Sequence, residues 1–400
     1  MTNYVRVSKY SAFAAFLLIS ASSFAATFTT LHTFSGKPGD GSHPVGDLVI
    51  AQGQLYGVTQ AGGRGCGRSG CGTVFTVNPG TGTEQVLHEF ANSAAGISNG
   101  IRPGSGLVAY DGYKLIGTTE AGGAGNGTLF KVIPDTGHVH VGRNGRDLPS
   151  IGIYSTPLTK YRGWLYGGTY DGGNNPSCTI AGGCGTIYRL DPRFLHSTIL
   201  YSFAGNRDGA APGGRLLVVG DFLYGTTDGG QHSSTLFRIN PRSGEHRVVH
   251  YFHGLSDGTD PTGDLAYDGS AIYGTTMLGG DGKACGPKRC GTVYRFDLAS
   301  KTLTVLHSFT GDDGEAPIGG LLLSGGMLYG TTSSGGPGGV GSIFQIDPAS
   351  GAFTVLQFFF APSPGCTPIA GLVADSSGTL YGTMPDCAGS GNGIVFALTP

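Results

Sequence analysis

The chain has 400 residues, 75 of them glycine, with 12% charged residues and a formal net charge of −2. A balance so close to zero, without clustered Lys and Arg, excludes a nucleic-acid surface. Glycines that recur at fixed offsets beside Leu, Tyr, Val and Phe exclude a disordered low-complexity chain, because they sit where tight turns and close backbone packing need them.

The chain opens on Arg6 and Lys9, an apolar run from Ala12 to Ile19, and small residues at Ser23 and Ala25. This pattern predicts a signal peptide over residues 1–25 cut after Ala25, since the run is too short to span a bilayer. No later stretch is apolar for long enough to anchor the chain. The product is expected to be secreted or periplasmic, and residues 26–400 to form one domain.

Next comes Thr27-Phe28-Thr29-Thr30-Leu31-His32-Thr33-Phe34, which has the pattern of Thr304-Val305-Leu306-His307-Ser308-Phe309 far downstream. From there the chain repeats itself. A Leu-Tyr-Gly core or near equivalent is centred on Tyr56, Ile116, Tyr166, Tyr224, Tyr273, Tyr329 and Tyr381, at intervals of 49 to 60 residues. Each copy holds four short β-type runs parted by Gly, Pro, Asp and Ser clusters, with no helical spacing. Four antiparallel strands, seven times over, predict an all-β, seven-bladed β-propeller of four-stranded antiparallel blades.

Blade one is predicted near Asp47–Ile50, Leu55–Thr59, Thr73–Val77 and Gln85–Phe90. Blade two keeps Gly106–Tyr110, Leu115–Thr119 and Thr128–Val132 but ends on His138-Val139-His140-Val141 instead of a Leu-His-x-Phe motif. Blade three opens irregularly, with Tyr154, Lys160, Tyr161, Arg162 and the single tryptophan, Trp164. Blades four to six return to the consensus. The seventh stops at Pro400 after three strands, so the N-terminal run is expected to supply its fourth and close the ring, pairing two otherwise open edges.

The eight cysteines pair as near neighbours in loops: Cys66 with Cys71, Cys178 with Cys184, Cys285 with Cys290, and Cys366 with Cys387. Four local disulfides in an oxidising compartment fit better than zinc, because each pair belongs to a different blade and no four thiolates converge. Histidines His32, His88, His250 and His307 share one fourth-strand position and are expected to be packed residues, not metal ligands. The repeated Asp-Gly at Asp40, Asp208, Asp257 and Asp313 reads as turn chemistry, lacking the run of oxygen ligands of a calcium loop. Neither a metal nor any other cofactor is called for.

Taken together, G-x-L, LYGTT, a Gly-Gly loop, GT(V/I)(F/Y) and T-V-L-H-S-F resemble the GloVer tandem repeat of choice-of-anchor bacterial surface proteins over the whole mature chain. That resemblance implies an exported repeat protein and no particular chemistry. Kelch propellers are a looser likeness, through repeat length and the Gly-Gly pair.

Function is sought in the loops before the first strand and after the second, which meet at one end of the ring. Non-consensus polar residues there are His43, Gln60, Arg102, Glu120, Tyr154, Tyr170, Asp171, Asp228, His232, Asp260, Glu315 and Asp386. Ligand-binding candidates are Arg102, Tyr154, Tyr170, His43 and Trp164, the aromatics as a sugar-stacking platform. Catalytic candidates are Glu120, Asp171, Asp228, Tyr154 and His232. The leading reading is a monomeric binding or scaffold module for a polysaccharide or a cell-envelope protein. The alternative is a polysaccharide lyase or glycoside hydrolase, which needs two carboxylates facing each other or a Tyr or His beside Arg. A quinone-cofactor dehydrogenase is disfavoured by the single tryptophan.

Overall fold

A computed structural model of the chain describes residues 26–91, 100–112, 114–122, 127–141, 156–193, 196–229, 234–281, 285–286, 290–360, 367–387 and 391–400. It is a ring of seven antiparallel sheets, the predicted propeller. Blade one pairs Gly41–Ala51, Gln54–Gly62, Thr73–Val77 and Glu84–Glu89 in chain order, and the others follow the same scheme. In blade two the first strand is broken into Ile101–Pro103 and Val108–Tyr110, and its atypical ending is a short fourth strand, His138–Val141. No helix among the described residues is long and apolar enough to cross a membrane.

The ring closes as expected. Thr27–Thr33 lies antiparallel beside Ile394–Thr399, with Thr27 opposite Thr399 and Thr33 opposite Ile394. Blade seven therefore takes its fourth strand from the beginning of the chain, and Phe34 N–H donates to the Gly393 carbonyl at 3.0 Å.

The core explains the repeated words of the sequence. Seven apolar clusters each mix residues of two adjacent blades, as where Tyr56, Val58 and Phe90 of blade one meet Leu107, Leu115 and Phe130 of blade two. The second strand is buried on both sides because it lies between two neighbouring sheets, which is why LYGTT has no polar alternation. The phenylalanine that ends the fourth strand crosses the seam. Phe34 meets Phe75 edge-on at 5.1 Å, Phe90 meets Phe130 at 5.1 Å, and Phe309 meets Phe344 at 5.3 Å.

Glycine in LYG makes room for the aromatic of the third strand, its direct cross-strand partner: Gly57 faces Phe75 and Gly330 faces Phe344. A Cβ on Gly330 would stand 2.5 Å from Phe344 Cζ and 2.9 Å from Leu321 Cδ2. Gly330→Ala should therefore cost about 1–3 kcal/mol through overpacking. Urea denaturation would measure this, and an unchanged midpoint would mean the ring can slide aside. The following threonines also pair off: Thr59 with Thr73 at 2.8 Å, Thr227 with Thr235 at 2.8 Å and Thr276 with Thr292 at 2.8 Å, buried hydroxyl to buried hydroxyl.

Three of the expected disulfides lie in loops between second and third strands, with Cα–Cα distances of 5.3 Å for Cys66–Cys71, 5.9 Å for Cys178–Cys184 and 5.3 Å for Cys285–Cys290. Each also holds a seam. The carbonyls of Cys71, Cys184 and Cys290 accept the N–H groups of Arg102, Ala211 and Ala316 in the next blade at 2.8, 2.9 and 3.0 Å. Cys387 is disulfide-bonded too, while Cys366 lies outside the described residues.

Candidate functional site

Each first strand touches the first strands of neighbouring blades, so these strands line the axis. The residue immediately before the first-strand leucine is Asp47, Gly106, Pro157, Arg215, Asp264, Gly320 and Gly371 in blades one to seven. Three of the seven positions carry charge and the others carry little side chain or none.

Arg215 of blade four uses this arrangement to reach across the ring. Its Nη2 donates to Asp47 Oδ2 of blade one at 3.1 Å, and its Nε donates to Asp264 Oδ2 of blade five at 3.0 Å. Nη1 reaches the Leu158 carbonyl at 3.4 Å. Gly371 N–H donates to Asp47 Oδ1 at 2.8 Å, so both oxygens of that carboxylate are bonded. A Cβ at Gly371 would meet Asp47 Oδ1 at 2.7 Å, and one at Gly320 would meet Asp264 Cβ at 2.4 Å. Small residues here are what leaves space for the ion triad.

The three side chains are 26%, 18% and 20% exposed. Burial and the neighbouring Asp264 charge push the Asp47 carboxyl up to about 6 against the pull of Arg215. Beyond the triad, towards the turns joining first to second strands, lies a cavity of about 320 Å³ walled by Val49, Ile50, Val108, Ala109 and Val373. Asp47 and Arg215 of the triad contribute the charged part of its lining.

The upper end carries the loops before first strands and after second strands, since antiparallel pairing puts both at one end of every blade. Among the described residues its polar groups form separate clusters. In one, Gln60 Nε2 donates to Glu120 Oε1 at 3.2 Å and Arg102 Nε lies 3.8 Å from Glu120 Oε2. In another, the Tyr170 hydroxyl donates to Asp228 Oδ2 at 3.2 Å. Burial raises the Glu120 carboxyl despite Arg102 and Gln60, and burial with the Asp260 charge raises Asp228 despite Tyr170. His43 Nε2 stands 3.2 Å from Asp386 Oδ1, with Ser42 Oγ at 2.6 Å from its Nδ1.

His43, Arg102 and Asp260 occupy one repeat position, just before a proline, with φ of 55°, 57° and 56°. Left-handed backbone is costly for side-chain-bearing residues. Ala211 and Ala316 hold the same conformation, so the repeat imposes it and the polar side chains are additions to it.

Of the other sequence candidates, Asp171 is half-buried beside the Gly172–Gly183 bridge, and Glu315 pairs through its backbone with Ser334. Tyr154 and His232 lie outside the described residues. Trp164 does not join Tyr170. It opens the second strand of blade three, opposite Tyr161 at the lower turn, with the Arg189 guanidinium 4.8 Å over its ring. Arg102 and Tyr170 likewise have different partners.

Shared histidines and Asp-Gly turns prove to be one device. His250 Nε2 meets Asp257 Oδ2 at 2.8 Å and His307 Nε2 meets Asp313 Oδ2 at 2.9 Å, while Tyr201 takes the histidine's place on Asp208 at 2.8 Å. The same carboxylates accept backbone N–H groups of His253, Thr310 and Ala204, closing the turn into the next blade.

Fold and axial site together define a seven-bladed β-propeller whose channel is crossed by an ion triad. The family described as the Gloeobacter/Verrucomicrobia repeat matches residues 18–234, 155–286 and 228–400, and the chain belongs to that family. No curated protein matches it. Among solved structures it is similar to a "putative 6-phosphogluconolactonase" from Bacteroides uniformis, with 17% identity and a TM-score of 0.54 over 85% of this chain and 90% of that one. A second, of the same description from Bacteroides fragilis, gives 17% identity and a TM-score of 0.52 over 84% and 88%. At that identity the likeness concerns the propeller fold alone.

Proposed function

We propose that the chain is an exported binding module that takes a neutral glycan, free or displayed on a cell-envelope partner, at the upper mouth of the ring. The observation that supports this most is the pair of half-buried carboxylates, Glu120 and Asp228, each oriented by a side chain of the preceding blade. Sugar hydroxyls bind well to acceptors held in place beforehand, and Tyr170, 44% exposed, offers an aromatic face beside Asp228. Below the loops, Arg215 reaches across the channel to Asp47. Export rests on the leader at residues 1–25, with its cut after Ala25, and fits the loop disulfides.

A phosphorylated sugar suits this mouth poorly. Among its described residues Glu120, Asp228, Asp260 and Asp386 outnumber Arg102, and a phosphate needs cations or backbone N–H groups. A hydrolase or lyase is the second reading, favoured by the burial that raises both carboxyls towards the range of a general acid.

One experiment separates the readings. Incubation with a panel of neutral polysaccharides should show retention without new reducing or unsaturated ends. Tyr170→Ala should weaken retention about tenfold or more. New ends that vanish in Glu120→Gln would replace the binding reading by the catalytic one, and no retention by any glycan would sink both.

A further inference from the structure

At the seam where the ring closes, one fourth-strand position carries a carboxylate. Four positions before the shared histidine, the fourth strands carry Phe28, Glu84, Ser197, His246, Leu303 and Phe353. At the seam of blades five and six, Phe353 stacks on His307 with centroids 3.8 Å apart, and His307 closes on Asp313. At the seam of blades three and four, His246 stacks on Tyr201 at 4.3 Å. Where blade seven meets blade one, the corresponding residue is a carboxylate, Glu84, set against His32.

The consequence is a group of unsatisfied atoms. His32 Nε2 and Glu84 Oε1 are both buried and have no hydrogen-bond partner among the described residues. The histidine–aspartate contact, closed elsewhere at 2.8 and 2.9 Å, is open here, with His32 Nε2 3.8 Å from Asp40 Oδ1. Ligand atoms of His32, Asp40 and Glu84 all lie within 4.8 Å of one another. Asp40 is fixed in place: its Oδ2 accepts from Ser35 N–H at 2.7 Å and from Ser35 Oγ at 2.5 Å, and its Oδ1 accepts from Gly41 N–H at 2.6 Å. Buried polar atoms in native proteins are paired, so two orphans within 4.8 Å of each other and of a third acceptor need an explanation.

We propose that His32 Nε2, Asp40 Oδ1 and Glu84 Oε1 bind a divalent cation, zinc by preference, across the ring-closing seam. One imidazole and two carboxylates suit a borderline first-row ion, and three protein ligands leave a fourth position for water. The 3.8 Å between His32 Nε2 and Asp40 Oδ1 is within reach of two donors on one metal at about 2.0–2.2 Å. Glu84 and Asp40 set two carboxylates side by side, and a cation between them offsets their repulsion. His32 comes from the first strand of the chain, whereas Asp40 and Glu84 belong to blade one, so the ion would clamp the closure.

A second group, His250, His253 and Asp257, also has its ligand atoms close together. It needs no ion. Asp257 Oδ2 already meets His250 Nε2 at 2.8 Å and His253 Nδ1 at 3.3 Å, and its Oδ1 accepts His253 N–H at 2.7 Å.

The test is titration of the full mature chain, stripped with chelator, with zinc chloride at pH 7.5, followed by calorimetry and by thermal unfolding. One zinc per chain should bind and raise the midpoint. Glu84→Gln should lose the midpoint shift and at least about tenfold in affinity, and its metal-free midpoint should equal or exceed the native one. Glu84→Phe, which copies the seam at Phe353, should fold and ignore zinc, and serves if the glutamine variant does not fold. The proposal is overturned if the native chain binds no zinc, or if the Glu84 variants bind as well as native while His253→Ala does not.

Discussion

Replacing Arg215 with methionine should destabilise the protein by about 3–5 kcal/mol at pH 8, among the largest losses available from one side chain outside the apolar core. Methionine keeps much of the volume but leaves Asp47 and Asp264 facing a partly desolvated channel with no cation between them. The pH dependence identifies the cause. In the native protein the Asp47 carboxyl is raised from 3.8 to about 6, so between those values the folded state keeps a proton that the unfolded state gives up. Stability therefore falls as pH rises through that window and levels off above it. Without Arg215 the folded carboxyl moves further up, and the decline continues above pH 6. The deficit of the variant should accordingly be large at pH 8 and much smaller at pH 5, as read from urea denaturation. Adding Asp47→Asn and Asp264→Asn should recover most of the loss at pH 8. A deficit independent of pH would mean that Arg215 acts through packing alone.

That triad also marks where the sequence stops being readable. Strands, blade number and closure follow from repetition, because each blade restates LYGTT and the Phe-terminated fourth strand, and the matching ends of the chain disclose the join. Arg215 and Asp47 are 168 residues apart and meet only because a ring brings blade four opposite blade one. A signal was present in the alternation of Asp, Gly, Pro, Arg, Asp, Gly and Gly before one leucine, but a charged residue inside a strand pattern reads as a local exception unless the seven copies are aligned at that position. Trp164 shows the opposite error. It looks like part of a platform because it is near Tyr170 in sequence, yet a strand of six residues, Trp164–Thr169, carries it to the other end of the blade. The relation of His32 to Glu84 depends on the seam and not on the repeat, so the shared position of the histidines does not disclose it.

Removing residues 26–35 from the mature chain should cost most of its stability, and this would test the closure that every axial feature depends on. Six register pairs with the last strand disappear, from Thr27–Thr399 to Thr33–Ile394. Phe34, fully buried against Phe75, goes with them, and losing such a side chain alone costs about 3–5 kcal/mol. Phe28 also leaves its contacts with Phe396 at 5.2 Å and Phe359 at 5.5 Å. Since a folded domain holds about 5–15 kcal/mol in all, little cooperative stability should remain. The edge of Ile394–Thr399, exposed and apolar, becomes a template for pairing with another chain. Sedimentation should show association of the truncated protein, with a broadened thermal transition. A synthetic peptide of residues 26–35, added in trans, should pair with that edge and restore the native sedimentation and midpoint. If the truncated chain unfolds at the native midpoint without associating, the first strand is not what holds the ring together, and Arg215 must reach Asp47 in a ring that is closed by other contacts.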